Sequence, residues 1–163
     1  MVDQIVDSGA TVINCSFGLK KLDYNQKEIA LLAKETFEKL EVLYPEVVIV
    51  AAAGNSSIAL NGINNYPGGL PVDNLITVGA IDQQGKVASF TNTQGEGGEV
   101  TIAAYGNQVL VGSLNNGTEM MYNSGTSFSA PYVTGSIALI QSIQPGIEAA
   151  EIKKLLTDTC LLY

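Results

Sequence analysis

The segment NSGTSFSAPYVTG, Asn123 to Gly135, sets Ser127 among small neighbours at what reads as the start of a helix. Acyl transfer needs a nucleophile and hydrogen-bond donors aimed at the oxyanion that develops in the transition state. Ser127 offers both: a hydroxyl and, at a helix start, a backbone N–H without an intrahelical partner. Gly125 and Thr126 before it, and Ser129 and Ala130 after it, are small enough to let a substrate carbonyl approach. Asn55, delivered directly behind an apolar run by AAAGN, could aim its side-chain amide into the same crevice. Taken singly, each residue is better read as something plainer, Ser127 as a helix N-cap and Asn55 as a turn residue. The chain contains no histidine, so no obvious group takes the serine's proton.

The elements that must position these residues are written in the hydrophobic patterning. Val12 to Cys15 is a short apolar run closed by SFG, a buried strand. Asp23 followed by Gln26 fits a capping box. Ile29, Leu32, Ala33, Phe37, Leu40 and Leu43 then recur at helical spacing until Pro45 stops the pattern. Val47 to Ala53 (VVIVAAA) is apolar without alternation, as a strand covered on both faces of a parallel sheet should be. Leu75 to Ile81 and Val100 to Ala104 predict two more strands, and Val109 to Met121 brackets the hairpin signal Asn116-Gly117. A helix is predicted from near Ser127 to about Ser142 and another from Ile147 to Thr157. Strand, helix and strand in this order predict a three-layer α/β fold: a mostly parallel sheet with helices on both faces, and a β-hairpin before the serine-bearing helix. In such sheets ligands bind beyond the carboxyl ends of the strands. The loops leaving those ends are SFG, the GN after Ala53, and the segment leading to Ser127.

Composition excludes several classes. The 163 residues make about one domain, with 46% hydrophobic residues and 15% charged ones. Net charge is −8 and all eight cations are scattered lysines, so nucleic acid is not the expected partner. No apolar run is long enough to span a membrane, and MVDQIVDSG shows no signal-peptide pattern. Cys15 lies in an apolar run, which predicts a buried free thiol, and Cys160 is far away. Without histidine or a CxxC pair no zinc site is expected. A lipase-like elbow needs GxSxG where this chain has GTSFS, and no GK[ST] accompanies GNSS or GEGG to make a phosphate loop.

The words VINCSFG, VVIVAAAGN, NYPG, LITVGAID, ASFTNTQG and NSGTSFSAPYVTG occur in one order, and that series resembles the subtilisin-like serine peptidases over nearly the whole chain. The resemblance implies that Ser127 is the nucleophile of a serine endopeptidase, Asn55 its oxyanion-hole asparagine, and Thr126 a neighbour of the oxyanion donors. It implies that a substrate peptide lies as an added strand against Ser16, Phe17 and Gly18, with Ala52, Ala53 and Gly54 as the opposite wall of the first specificity pocket. Asn65 stands at the base of that pocket where relatives often have glycine, which implies a shallower, more polar pocket for small or polar side chains. Tyr66-Pro67 matches a bond that relatives hold cis, and Tyr132 replaces a histidine that is no triad member.

In this family the aspartate and histidine of the triad precede the VINxSxG strand. The chain is therefore expected to be the C-terminal part of one catalytic domain, residues 1–163, inactive alone and completed by a missing N-terminal part. Asp7, in VDSG, imitates the aspartate motif, but only four residues separate it from Val12. It is read as a helix end with Ser8-Gly9 as the stop. The alternative is a pseudo-protease that kept the cleft as a peptide-binding or scaffold domain. Calcium is frequent in the family, but no run of alternating oxygen ligands appears, so no cofactor or metal site is assigned. The first strand should present an unpaired edge and so promote self-association or capture of a partner.

Overall fold

The structure, a computed structural model, describes residues 4, 7–20, 24–62, 65–112 and 120–160. In chain order the elements are β1 (Val12–Cys15), β2 (Leu19–Lys20), α1 (Tyr24–Leu43), β3 (Val48–Ala52), β4 (Asn65–Tyr66), β5 (Leu75–Ile81), β6 (Ile102–Tyr105), β7 (Val109–Gly112), β8 (Met120–Asn123), α2 (Thr126–Ile143) and α3 (Ala149–Thr159). Four of the strands form one all-parallel sheet in the order β1-β3-β5-β6. Val12 stands opposite Val48, Ile49 opposite Leu75, and Val78 opposite Ile102.

β3 is buried along its whole length, and its alternation divides the core in two. Val48 and Val50 point to one face, where Ile76 and Val78 meet Val133 and Ile137 of α2 and Ile152 and Leu156 of α3. Ile49 and Ala51 point to the other, against Ala33, Phe37 and Leu40 of α1. That is the three-layer arrangement the apolar run VVIVAAA predicts, and it carries the carboxyl ends of all four parallel strands to one side of the molecule.

The other elements match with local differences. The strand expected from Val100 begins at Ile102, because Thr101 uses its hydroxyl as well as its N–H on Thr77 before the regular ladder starts. β7 and β8 pair antiparallel as the expected hairpin, with Gly112 opposite Met120; Asn116-Gly117 lies outside the described residues, as does the capping residue Asp23. Two-residue strands β2 and β4 form a small antiparallel pair that no pattern announced. Gly9 takes a φ of 69° behind the Ser8 N–H to Gln4 carbonyl bond, the expected stop. The Tyr66-Pro67 bond is cis.

Cys15 is a buried free thiol and Cys160 an exposed one, and burial raises the Cys15 pKa. Among the described residues no helix is long and apolar enough to cross a membrane. No group of three or more thiol or carboxylate side chains gathers there to hold a metal ion. Also among the described residues, β1 pairs only with β3 and forms one edge of the sheet.

Candidate active site

The chain leaves β3 through a turn that only glycine fits. Gly54 has a φ of 99°, and a Cβ on it would lie 2.5 Å from Asn92 Nδ2 and 2.7 Å from Asn65 Oδ1. The turn delivers Asn55 to the surface at the carboxyl end of the sheet. On the far side of the same crevice α2 starts at Thr126, with Gly125 before it and Ser127 half-buried in its first turn.

These two pieces are bonded directly. Asn55 Oδ1 accepts hydrogen bonds from the Thr126 N–H (2.9 Å) and from Thr126 Oγ1 (2.9 Å). Thr126 Oγ1 in turn accepts from the Gly54 N–H at 3.0 Å. Both Thr126 donors require an oxygen, so the carboxamide is fixed with its oxygen inward and its NH2 as the remaining donor. Gly125 makes room for it: a Cβ there would lie 3.1 Å from Asn55 Nδ2.

Ser127 is held from behind. Pro131, inside α2, has no N–H to offer the carbonyl four residues earlier, which belongs to Ser127. The Ser16 hydroxyl donates to that carbonyl instead, at 2.9 Å. Asn14 Nδ2 donates to Ser16 Oγ (2.8 Å), and Thr134 Oγ1 donates to Asn14 Oδ1 (3.0 Å), which ties the end of β1 to the serine-bearing helix.

Between the two pieces lies a cleft of about 160 Å³. Phe17, Gly18, Ala52, Gly54, Asn55, Asn65, Thr126 and Ser127 border it. Asn65 is 4% exposed, and a Cβ on Gly18 would meet its Oδ1 at 3.1 Å, so its carboxamide fills the space between Gly18 and Gly54. Among the described residues no charged side chain borders the cleft.

Ser16 reaches this site through the Ser127 carbonyl rather than by lining the cleft. Ala53 does not line it either, which corrects its expected place in the wall. It is fully buried, with its N–H on the Val78 carbonyl and its own carbonyl on Asn92 Nδ2. Asn92, in the word ASFTNTQG, carried no assigned role although it is 1% exposed and fully bonded to this loop. Its only trace in the sequence is an asparagine in a turn-rich word, which reads as an ordinary turn residue. Larger hollows exist, one of about 490 Å³ beside β6 and one of about 430 Å³ on the outer face of α1, but neither holds a serine or asparagine side chain.

Residues 1–161 match the family model described as the subtilase family. The chain is 34% identical over 153 residues to the thermophilic serine proteinase of Bacillus sp. (strain AK1), covering 94% of this chain and 33% of that protein. It is 32% identical over 171 residues to fervidolysin of Fervidobacterium pennivorans, covering 94% of this chain and 22% of that one. The crystal structure of a cold adapted subtilisin-like serine proteinase superposes with a TM-score of 0.72 at 24% identity, over 96% of this chain and 51% of that one, a likeness of fold. The chain thus spans a third or less of these sequence relatives and about half of that structure.

Proposed function

Since this chain belongs to the subtilase family, whose members are serine-type peptidases, we propose that it carries the nucleophile, oxyanion hole and substrate walls of an endopeptidase. The observation that carries this reading is the pinned carboxamide of Asn55, whose NH2 is left as a donor beside Ser127. A peptide would lie against Ser16 to Gly18, with Ala52 and Gly54 opposite, held by main-chain hydrogen bonds as an added strand. Ser127 Oγ attacks the carbonyl carbon of the scissile bond while its proton passes to a general base. The negative charge that forms on the carbonyl oxygen is stabilised by Asn55 Nδ2 and the Ser127 N–H. Collapse of that intermediate expels the amine, which takes up the proton, and water then hydrolyses the acyl-serine.

The base and its orienting carboxylate would come from sequence outside these 163 residues, because the chain has no histidine. Alone it should turn over almost nothing, since an oxyanion hole and binding without a triad leave only about 10³–10⁴-fold over water, the figure known for subtilisin itself. Asn65 on the floor of the cleft favours a small or polar side chain before the scissile bond. A fluorophosphonate probe on the full-length protein tests the reading: labelling that disappears in Ser127→Ala supports it. The missing histidine also favours a second reading, a pseudo-protease that binds peptides. Peptide binding by the full-length protein without any labelling would establish that one instead.

A further inference from the structure

The word ASFTNTQG has no part in the reaction just described, yet its asparagine is bonded to both sides of Asn55. We propose that Asn92 is a positioning residue that clamps the 53–58 loop so that Asn55 Nδ2 stays on the oxyanion position. The inference rests on the peptidase reading above.

Asn92 Nδ2 donates to the Ala53 carbonyl at 2.8 Å, and the Asn92 N–H donates to the Gly54 carbonyl at 2.9 Å. Beyond Asn55, Asn92 Oδ1 accepts from the Ser56 N–H at 3.0 Å and the Ile58 N–H at 3.3 Å. One buried carboxamide thus fixes residue 53 before the oxyanion donor and 56 and 58 after it, and the Asn92 backbone N–H fixes residue 54. The loop needs such holding. Gly54 has a φ of 99° and Ser57 a φ of 53°, so left-handed residues flank Asn55 and Ser56. Such conformations persist only where the surroundings over-determine them. The neighbours of Asn92 complete the clamp: the Phe90 carbonyl accepts from Ser57 N–H at 3.0 Å, and the Ser89 carbonyl from Ser57 Oγ at 2.7 Å.

The clamp is itself anchored in the sheet. Ala80 of β5 donates its N–H to Thr91 Oγ1 at 3.1 Å and accepts from the Ala88 N–H at 2.8 Å. Position therefore passes from β5 through residues 88–92 to the loop, and from Asn55 to Thr126 at the head of α2. The chemistry calls for an asparagine. A donor and an acceptor must sit on one short rigid plane, because Ala53 offers a carbonyl where Ser56 and Ile58 offer N–H groups. Aspartate would keep the acceptor and turn a second oxygen towards the Ala53 carbonyl. Transition-state donors work only within a few tenths of an ångström, so a loosened loop should lower kcat before it changes substrate binding.

The test is a double-mutant cycle on the full-length protein with Asn92→Asp, Asn55→Ala and both together, following kcat and KM separately. Asn92→Asp is expected to lower kcat by about 10-fold or more with KM within about 2-fold, and to lower it no further once Asn55 is alanine. Loss of kcat that multiplies with that of Asn55→Ala means a general structural role and overturns the proposal, as does an unchanged kcat. If Asn55→Ala alone leaves kcat unchanged, the oxyanion reading has failed, whatever Asn92 does. Amide hydrogen exchange on the full-length protein reads the clamp without catalysis. Asn92→Ala should expose the Ser56 and Ile58 N–H groups and broaden the Asn55 side-chain amide signals, and unaltered exchange and signals overturn it.

Discussion

The Thr126 hydroxyl is buried, and it does two things at once: it donates to Asn55 Oδ1 and accepts from the Gly54 N–H. Thr126→Val keeps the shape and removes both bonds. The Gly54 N–H left without an acceptor should lower stability by about 1–3 kcal/mol in urea unfolding, and turnover should fall as the Asn55 amide loosens. Thr126→Ser should restore most of both. Asn55→Ala should lower kcat by about 10²–10³-fold in steady-state assays, the loss seen when subtilisin is stripped of one such donor. At the floor of the cleft, Asn65→Gly should raise kcat/KM for substrates with an aromatic side chain before the scissile bond, relative to alanine, by about 10-fold or more. An unchanged ratio would remove Asn65 as the determinant of pocket depth. Ser127 and Asn55 could be picked out of the sequence because each stands in a word of the ordered series, GTSFSAP and AAAGN, although alone each reads as a cap or turn residue. Asn92 could not, because its partners lie 34 to 39 positions earlier in the chain and nothing local marks them.

Helix α2 contains a proline that would ordinarily weaken it, and the fold uses the gap this makes. The carbonyl released at Ser127 is where the end of β1, through Ser16, takes hold of the helix. Ser16→Ala should therefore destabilise the chain by about 1–3 kcal/mol by leaving that part-buried carbonyl without a partner. In a Pro131→Ala background the same substitution should cost measurably less, because residue 131 then has an N–H to offer. Urea unfolding of the four variants reads the difference, and equal costs would contradict the exchange of partners. The longer elements were legible because their physics is local: β3 and β5 are continuous apolar runs, and α1 and α2 each end two residues before a proline, Pro45 and Pro145. The pairing of β2 with β4 was not legible, since two residues carry no periodicity and the partners meet only after the intervening chain has folded.

Taken as one body, the molecule raises the pKa of two groups, the buried Cys15 and the half-buried Tyr66. Burial raises the pKa of Cys15, and burial first and the neighbouring Cys15 charge second raise that of Tyr66. The folded chain then keeps these protons where the unfolded chain has begun to release them. The resulting stability is complete below the ordinary thiol range and is lost as pH rises through the folded value. Urea midpoints should therefore fall as pH rises above about 8, and Cys15→Ala should flatten the thiol part of that slope. The layered architecture was readable from strand–helix order, whereas the hydrogen bonds that close the cleft were not, because they join residues 71 and 111 positions apart. One consequence of the layering concerns synthesis. α2 packs across β1, β3, β5 and β6 alike, and it follows all four in the chain. On the ribosome, the valines and isoleucines of that sheet face must wait bare until Val133 and Ile137 emerge from the exit tunnel. Nascent chains stalled before that point are where a chaperone would be found bound.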